Sequence, residues 1–182
     1  MIHEVKGDLT TYDADFICHQ TNFHGVMGGG VALAIWNKML ERQARAAYQI
    51  HCAKNGANLL GTVQFLPAVQ RTPDGDRMCI VYNLFCQADE PQDDGGITHY
   101  DSMRECLEQV ERLARRSSRT VALPGYIGCG IAGAGALCGA EGQRSAELDR
   151  LGTDAFAAVG VCQTGGDLVS GGDARQYALQ DQ

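Results

Sequence analysis

Two glycine clusters constrain this chain more than any other feature. Gly28-Gly29-Gly30 runs directly into an apolar stripe, and Gly128, Gly130 and Gly133 follow the apolar run at 120–124. Glycine weakens the interior of helices and strands, so clusters of it read as loops. Each cluster follows an extended apolar segment, and the first also opens a helical pattern. The chain holds 23 glycines in 182 residues, roughly twice the usual ~7% share. With 45% hydrophobic and 20% charged residues, the composition nevertheless excludes a disordered chain.

Strand and helix signals alternate around these loops. Short extended runs are expected at 2–5, 16–18 and 63–66, the last closed by Pro67. Thr72-Pro73-Asp74-Gly75 is a turn in which Pro presets φ and Gly accepts a positive one. The run 78–85 is nearly all apolar, as expected of a strand covered on both faces. A helix is predicted over 31–40, with Val31, Ile35 and Met39 on one stripe and Trp36 and Leu40 beside it. Helical character continues over 41–54, through Ala44, Ala47, Tyr48 and Cys52, to a stop at Asn55-Gly56. After an acidic loop at 87–96, Thr98-x-x-Asp101 has the form of a capping box. It precedes the clearest stripe in the chain, Tyr100, Met103, Cys106, Leu107, Val110 and Leu113. Arg115, Arg116 and Arg119 suit the C-terminal end of that helix. The alternation predicts an α/β fold with a mixed, mostly parallel sheet. Ligands of such sheets bind beyond the C-terminal strand ends, where both glycine loops are expected.

Charge and cysteine usage narrow the function. Fifteen Lys and Arg against 22 Asp and Glu give a net charge of -7, which argues against general nucleic-acid binding. No apolar run approaches the ~18 residues of a membrane span, so no membrane partner is expected. The opening MIHEVKGDLT lacks a basic stretch followed by an apolar one, and the expected compartment is the cytoplasm. The eight cysteines form neither C-x-x-C nor a zinc spacing. They read as small buried hydrophobes in a reducing compartment, and neither a metal nor a cofactor is expected.

Glycine loops of this kind suit phosphates. Without side chains, backbone N–H groups approach an anion, and a helix N-terminus adds partial positive charge. Two such loops on one rim could hold a pyrophosphate between them. The known nucleotide motifs fit poorly. There is no P-loop, Leu33 stands where a third Rossmann glycine belongs, and Asn55 is the nearest polar residue to the expected strand-end acid. A nicotinamide-dependent oxidoreductase is therefore the weakest reading.

Five motifs in order carry a resemblance: Val5-Lys6-Gly7-Asp8-Leu9-Thr10, then 15–22 ending in Asn22, then 25–32 around the first glycine cluster, then Asn83-Leu84-Phe85-Cys86-Gln87, then 123–133 around the second. Together they resemble the macro domain family over about residues 1–133. The resemblance implies a three-layer α/β/α fold that binds ADP-ribose, free or attached to a protein. It implies that Asp8, with Leu9 beside it, meets the adenine amine. Asn22 would meet the distal ribose. Gly28, Gly29, Gly30 and Val31 would wrap the diphosphate from one side, and Ile127, Gly128, Cys129, Gly130, Ile131 and Ala132 from the other. The expected activity is hydrolysis of an ADP-ribosyl ester or of a phosphate derivative of ADP-ribose. The alternative is a reader module without turnover. Some macro domains use a Lys in the loop before the helix that here starts near Thr98. No Lys stands at 93–98, and only Lys6, Lys38 and Lys54 are present. That leaves a water-based reaction, with Asn22 and His24 as the catalytic candidates, His24 because its pKa suits proton transfer near neutrality.

Each residue also has a plainer role to weigh: a turn or cap for Asp8, a self-bonded loop for Asn22, a lone surface histidine for His24, a solvated loop for Asp89, Glu90, Asp93 and Asp94. The last segment departs from the family. Residues 133–182 contain 10 Gly and 9 Ala but no Pro, Ile, Met, Lys or Trp. The segment 134–182 reads either as a divergent, poorly ordered tail or as the product of a shifted reading frame.

Overall fold

The computed structural model describes residues 2–5, 7–90, 97–125 and 176–179. Within them the elements run β1 (Ile2–Val5), β2 (Phe16–Thr21), α1 (Gly30–Lys38), α2 (Arg42–Asn55), β3 (Val63–Thr72), β4 (Gly75–Phe85), α3 (Tyr100–Ser117), β5 (Val121–Pro124) and β6 (Gln176–Leu179). All six strands form one mixed sheet in the order β1-β6-β5-β2-β4-β3. Parallel pairing is confined to the centre, where β2 lies between β4 and β5. The β3–β4 hairpin and both pairings of β6 are antiparallel. β6 comes from the atypical tail yet lies inside the sheet, between β1 and β5; residues 134–175 lie outside the described residues.

Alternation along β2 fixes the layers. Thr21 Oγ1 meets Tyr48 Oη of α2 at 2.9 Å, whereas the neighbouring Gln20 donates from Nε2 to Thr98 Oγ1, just before α3, at 2.8 Å. Successive strand residues point to opposite faces, so α2 and α3 cover opposite sides of the sheet. Between them Ile17, Cys18, Val81, Leu84 and Phe85 are all fully buried. The cysteines at 18, 52, 79, 86 and 106 are buried and free, as their apolar surroundings in the sequence suggest. Cys129, Cys138 and Cys162 lie outside the described residues.

Four local expectations need correction. The helical pattern of 31–54 breaks at Met39-Leu40-Glu41, because the carbonyls freed there find other donors. Val69 N donates to Met39 O at 3.0 Å, Arg71 Nη1 to Lys38 O at 2.6 Å, and Arg45 Nε to Leu40 O at 2.8 Å. Pro67 does not end its strand. β3 runs through it to Thr72, since β3 is a sheet edge, where an outward backbone nitrogen needs no hydrogen. The capping box of Thr98 and Asp101 does not form. His99 caps α3 instead, its Nδ1 accepting from Ser102 N at 3.2 Å, while Thr98 is occupied by Gln20 and Asp101 by Arg104. At the ends of the α3 stripe Tyr100 and Leu113 are exposed, and Ser102 and Ala114 take buried positions. The turn at 72–75 is as expected: Thr72 pairs with Gly75, whose φ is 124°.

Asp15 ties the start of β2 to β5. Its carboxylate accepts from Thr120 N at 3.0 Å, Thr120 Oγ1 at 2.9 Å and Arg119 Nη1 at 2.9 Å. Desolvation raises its pKa, but the bonds from Thr120 and Arg119 outweigh that and hold it below the ordinary 3.8. The effect anchors the parallel centre of the sheet on which the rim loops stand.

Candidate functional site

The rim loop of residues 22–29 is held by its own first residue. Asn22 Nδ2 donates to Val26 O at 2.7 Å, and Asn22 Oδ1 accepts from His24 N at 2.9 Å. From below, Tyr48 Oη donates to Asn22 O at 2.9 Å and lies 3.3 Å from Asn22 Oδ1. Burial pushes the Tyr48 phenol far above its ordinary pKa, so it stays a donor, and Thr21 supplies the hydroxyl it accepts from. Phe23 and Met27 point into the core, while His24, Val26 and Gly28 face outward. Gly25 has φ +78° and packs on α2, where a Cβ would lie 3.4 Å from Gln49 Cα. Both the backbone sign and the close approach call for glycine.

The glycine cluster then delivers the chain to α1. Gly29 is the N-cap, extended and without a side-chain cap, and the first turn of α1 contains no acid. Gly30 has φ +53° with open space where a Cβ would stand. The first N–H groups of α1 are therefore available to an anion, with the helix dipole behind them. The strand before the second loop lies beside β2: β5 pairs with β2 in parallel and Gly125 follows its end. Its candidates Ile127, Gly128, Cys129, Gly130, Ile131 and Ala132 lie outside the described residues.

Asp8 forms a local turn and an ion pair. Oδ1 accepts from Thr10 N at 2.9 Å and Thr10 Oγ1 at 2.7 Å, which is the local turn, and Oδ2 accepts from Lys38 Nζ at 2.8 Å. Desolvation raises its pKa, but Lys38 and Thr10 outweigh it, and the carboxyl lies below 3.8. It is ionised at neutral pH, half exposed, and an acceptor only. Leu9 is buried in the core, so only its backbone can meet a ligand.

The sequence reading treats His24 and Asp89 as separate surface residues. The fold pairs them, His24 Nε2 against Asp89 Oδ1, with both side chains half exposed. The pairing follows from register. Thr21 and Phe85 are partners at the ends of β2 and β4, His24 lies three residues beyond one and Asp89 four beyond the other. Tyr48, which supports the loop through Asn22, is the other contact not legible in the sequence. On α2 it reads as one more core position, and nothing local links it to Asn22. Among the described residues no cluster of His, Cys, Asp or Glu could hold a metal.

No protein-family model matches this chain, and neither does any curated protein. Solved structures do match. A macrodomain protein from Streptomyces coelicolor is 26% identical, over 81% of this chain and 85% of that one, with a TM-score of 0.52. A protein from Bacteroides thetaiotaomicron is 24% identical over 80% of this chain and 88% of that one, with a TM-score of 0.56. The macrodomain of Mycobacterium tuberculosis DarG is 21% identical, over 80% and 88%, with a TM-score of 0.51. The fold of this chain is that of a macro domain.

Proposed function

We propose that the chain binds ADP-ribose on the rim formed by the ends of β2 and β5, and that it hydrolyses an ADP-ribosyl ester or a phosphate derivative of ADP-ribose. The observation that carries the binding reading is the uncapped, acid-free N-terminus of α1 behind three glycines. In this reading Gly28 to Val31 give backbone donors to the diphosphate, and Ile127 to Ala132 face them from the second loop. Asp8 offers an ionised oxygen to the adenine amine, as a carboxylate reads an exocyclic amine elsewhere. Asn22 sits where the distal ribose would lie.

The His24–Asp89 pair supports turnover. A carboxylate on one ring nitrogen fixes the imidazole's orientation. The other nitrogen, Nδ1, is then free to pass a proton to or from a water at the distal ribose. Asp89 is the positioning residue in this scheme. A reader module without turnover is the second reading, since the loop supports binding equally in both. The five free buried cysteines suit a reducing compartment such as the cytoplasm.

Calorimetric titration of the full chain with ADP-ribose tests the binding. Saturation at micromolar Kd or tighter, about -8 kcal/mol or better, is expected; no heat from a folded sample overturns the reading. His24→Ala should keep that Kd within about threefold and slow release of ADP-ribose from a modified protein by roughly 100-fold, the lower range for a lost general acid or base. Equal losses in binding and turnover would place His24 in binding alone. A wild-type protein that binds and never turns over favours the reader.

A further inference from the structure

A cavity of about 500 Å³ opens where α1 ends and α2 begins, and its walls carry Lys38, Arg42, Arg45 and Arg71. It lies away from the glycine loops, although Lys38 and Thr10 on its wall also bond Asp8. Arg71 pairs with Asp76 next to the β3–β4 turn, at the N-terminal end of β4, whereas the glycine loops leave the C-terminal ends of the parallel strands. In a chain of net charge -7, four cations around one cavity are a local reversal of sign. Asp8 and Glu41 offset only two of them, through Lys38 and Arg71.

Three of the four cations are held in place by the fold, Lys38 by Asp8. Arg71 is fixed by Lys38 O and by Glu41. Arg45 donates through Nε to Leu40 O, and its guanidinium lies 5.3 Å from the centre of the Trp36 ring. Its two terminal nitrogens have no partner among the described residues, and neither does Arg42. Thr10 and Asn37 add neutral polar groups to the wall. Arg42 and Arg45 also stand at the start of α2, where Glu41 is the N-cap and the first turn has no acid. Cations there oppose the helix dipole, and an anion seated between them would remove the conflict. Guanidinium groups in fixed positions suit phosphate, which takes several N–H donors at once. The volume falls in the range of small-molecule sites.

We propose that this cavity is a second anion site, away from the glycine loops, which takes a phosphate group, free or carried by a small molecule. The test is an NMR titration of the full, ¹⁵N-labelled chain with inorganic phosphate and, in parallel, phenyl phosphate. Each is compared with sodium chloride at matched ionic strength. Saturable shifts are expected at the Nε–H signals of Arg45 and Arg71 and at the backbone amides of 42–45. They resolve this cavity from the amides of 29–32, so failure of the rim reading would be seen separately. Tighter binding of phenyl phosphate than of inorganic phosphate supports a monoester, and equal binding supports the free anion; both keep the site. Arg42→Gln should weaken binding by several-fold and Arg42→Glu by about tenfold or more, as for loss of a charge-assisted hydrogen bond. Arg42 is exposed and unpartnered among the described residues, so both variants should keep the wild-type amide spectrum elsewhere. Shifts no larger than those from chloride, or undiminished binding by Arg42→Glu, would overturn the proposal.

Discussion

Asn22→Ala is expected to weaken ADP-ribose binding by about 30-fold or more. The alanine loses the donor to Val26 O and the acceptor for His24 N and Tyr48 Oη. At about 1 kcal/mol for each hydrogen bond, the loss is roughly 2–3 kcal/mol, and each 1.4 kcal/mol is a factor of ten. Most of that effect acts through the loop. Without its tether, the segment 23–29 no longer presents the first amides of α1 in one arrangement. The amide signals of 23–31 should therefore move in the free protein, before any ligand is added, and the unfolding midpoint should fall. An affinity unchanged in Asn22→Ala would mean that the loop holds its shape by Phe23, Met27 and Gly25 alone.

Stability is expected to fall by roughly 3 kcal/mol as pH drops from about 6.5 to about 4, and His19 is the cause. The ring lies fully buried, with Nε2 at 2.7 Å from Asn83 Oδ1 and Nδ1 at 3.1 Å from Gln20 O. Burial disfavours the charged ring; the two oxygens favour it, but burial prevails and the pKa falls from 6.5 to about 4. The sign follows from proton counts. Between those values the unfolded chain binds a proton at this position and the folded chain does not, so acid favours unfolding. The stabilisation is complete above about 6.5 and is lost towards about 4. Asp8 and Asp15 add their own losses only below 3.8, because their folded values are depressed. Urea unfolding at a series of pH values measures the slope. His19→Asn should flatten it between 4 and 6.5 whatever its own stability at pH 7. An equally steep slope in that variant would assign the dependence to other groups.

The glycine positions were legible because a backbone constraint leaves few alternatives. Gly25, Gly30 and Gly75 all have positive φ, and no other residue type adopts it at so small a cost. The buried stripe from Met103 to Val110 was legible for a similar reason, since one periodicity matched one covered face. The break between α1 and α2 was not. Continuous helical character over 31–54 is a local preference, and it yields at Met39 to donors from β3 and from two arginines. The cap of α3 shows the same limit: Thr98 has the right spacing, but Gln20, 78 residues away in sequence, reaches it first.

By itself the sequence determined an α/β chain with two glycine loops behind strands, and an ordered set of motifs pointing to a macro domain. Those features rest on φ preferences and short-range periodicity, which act within a few residues. Only the tertiary structure decided which side chains meet. It placed Asp89 on His24 and Tyr48 under Asn22, and gathered Lys38, Arg42, Arg45 and Arg71 around one cavity. Each of these depends on strand order and register, and those are set by burial of the whole core.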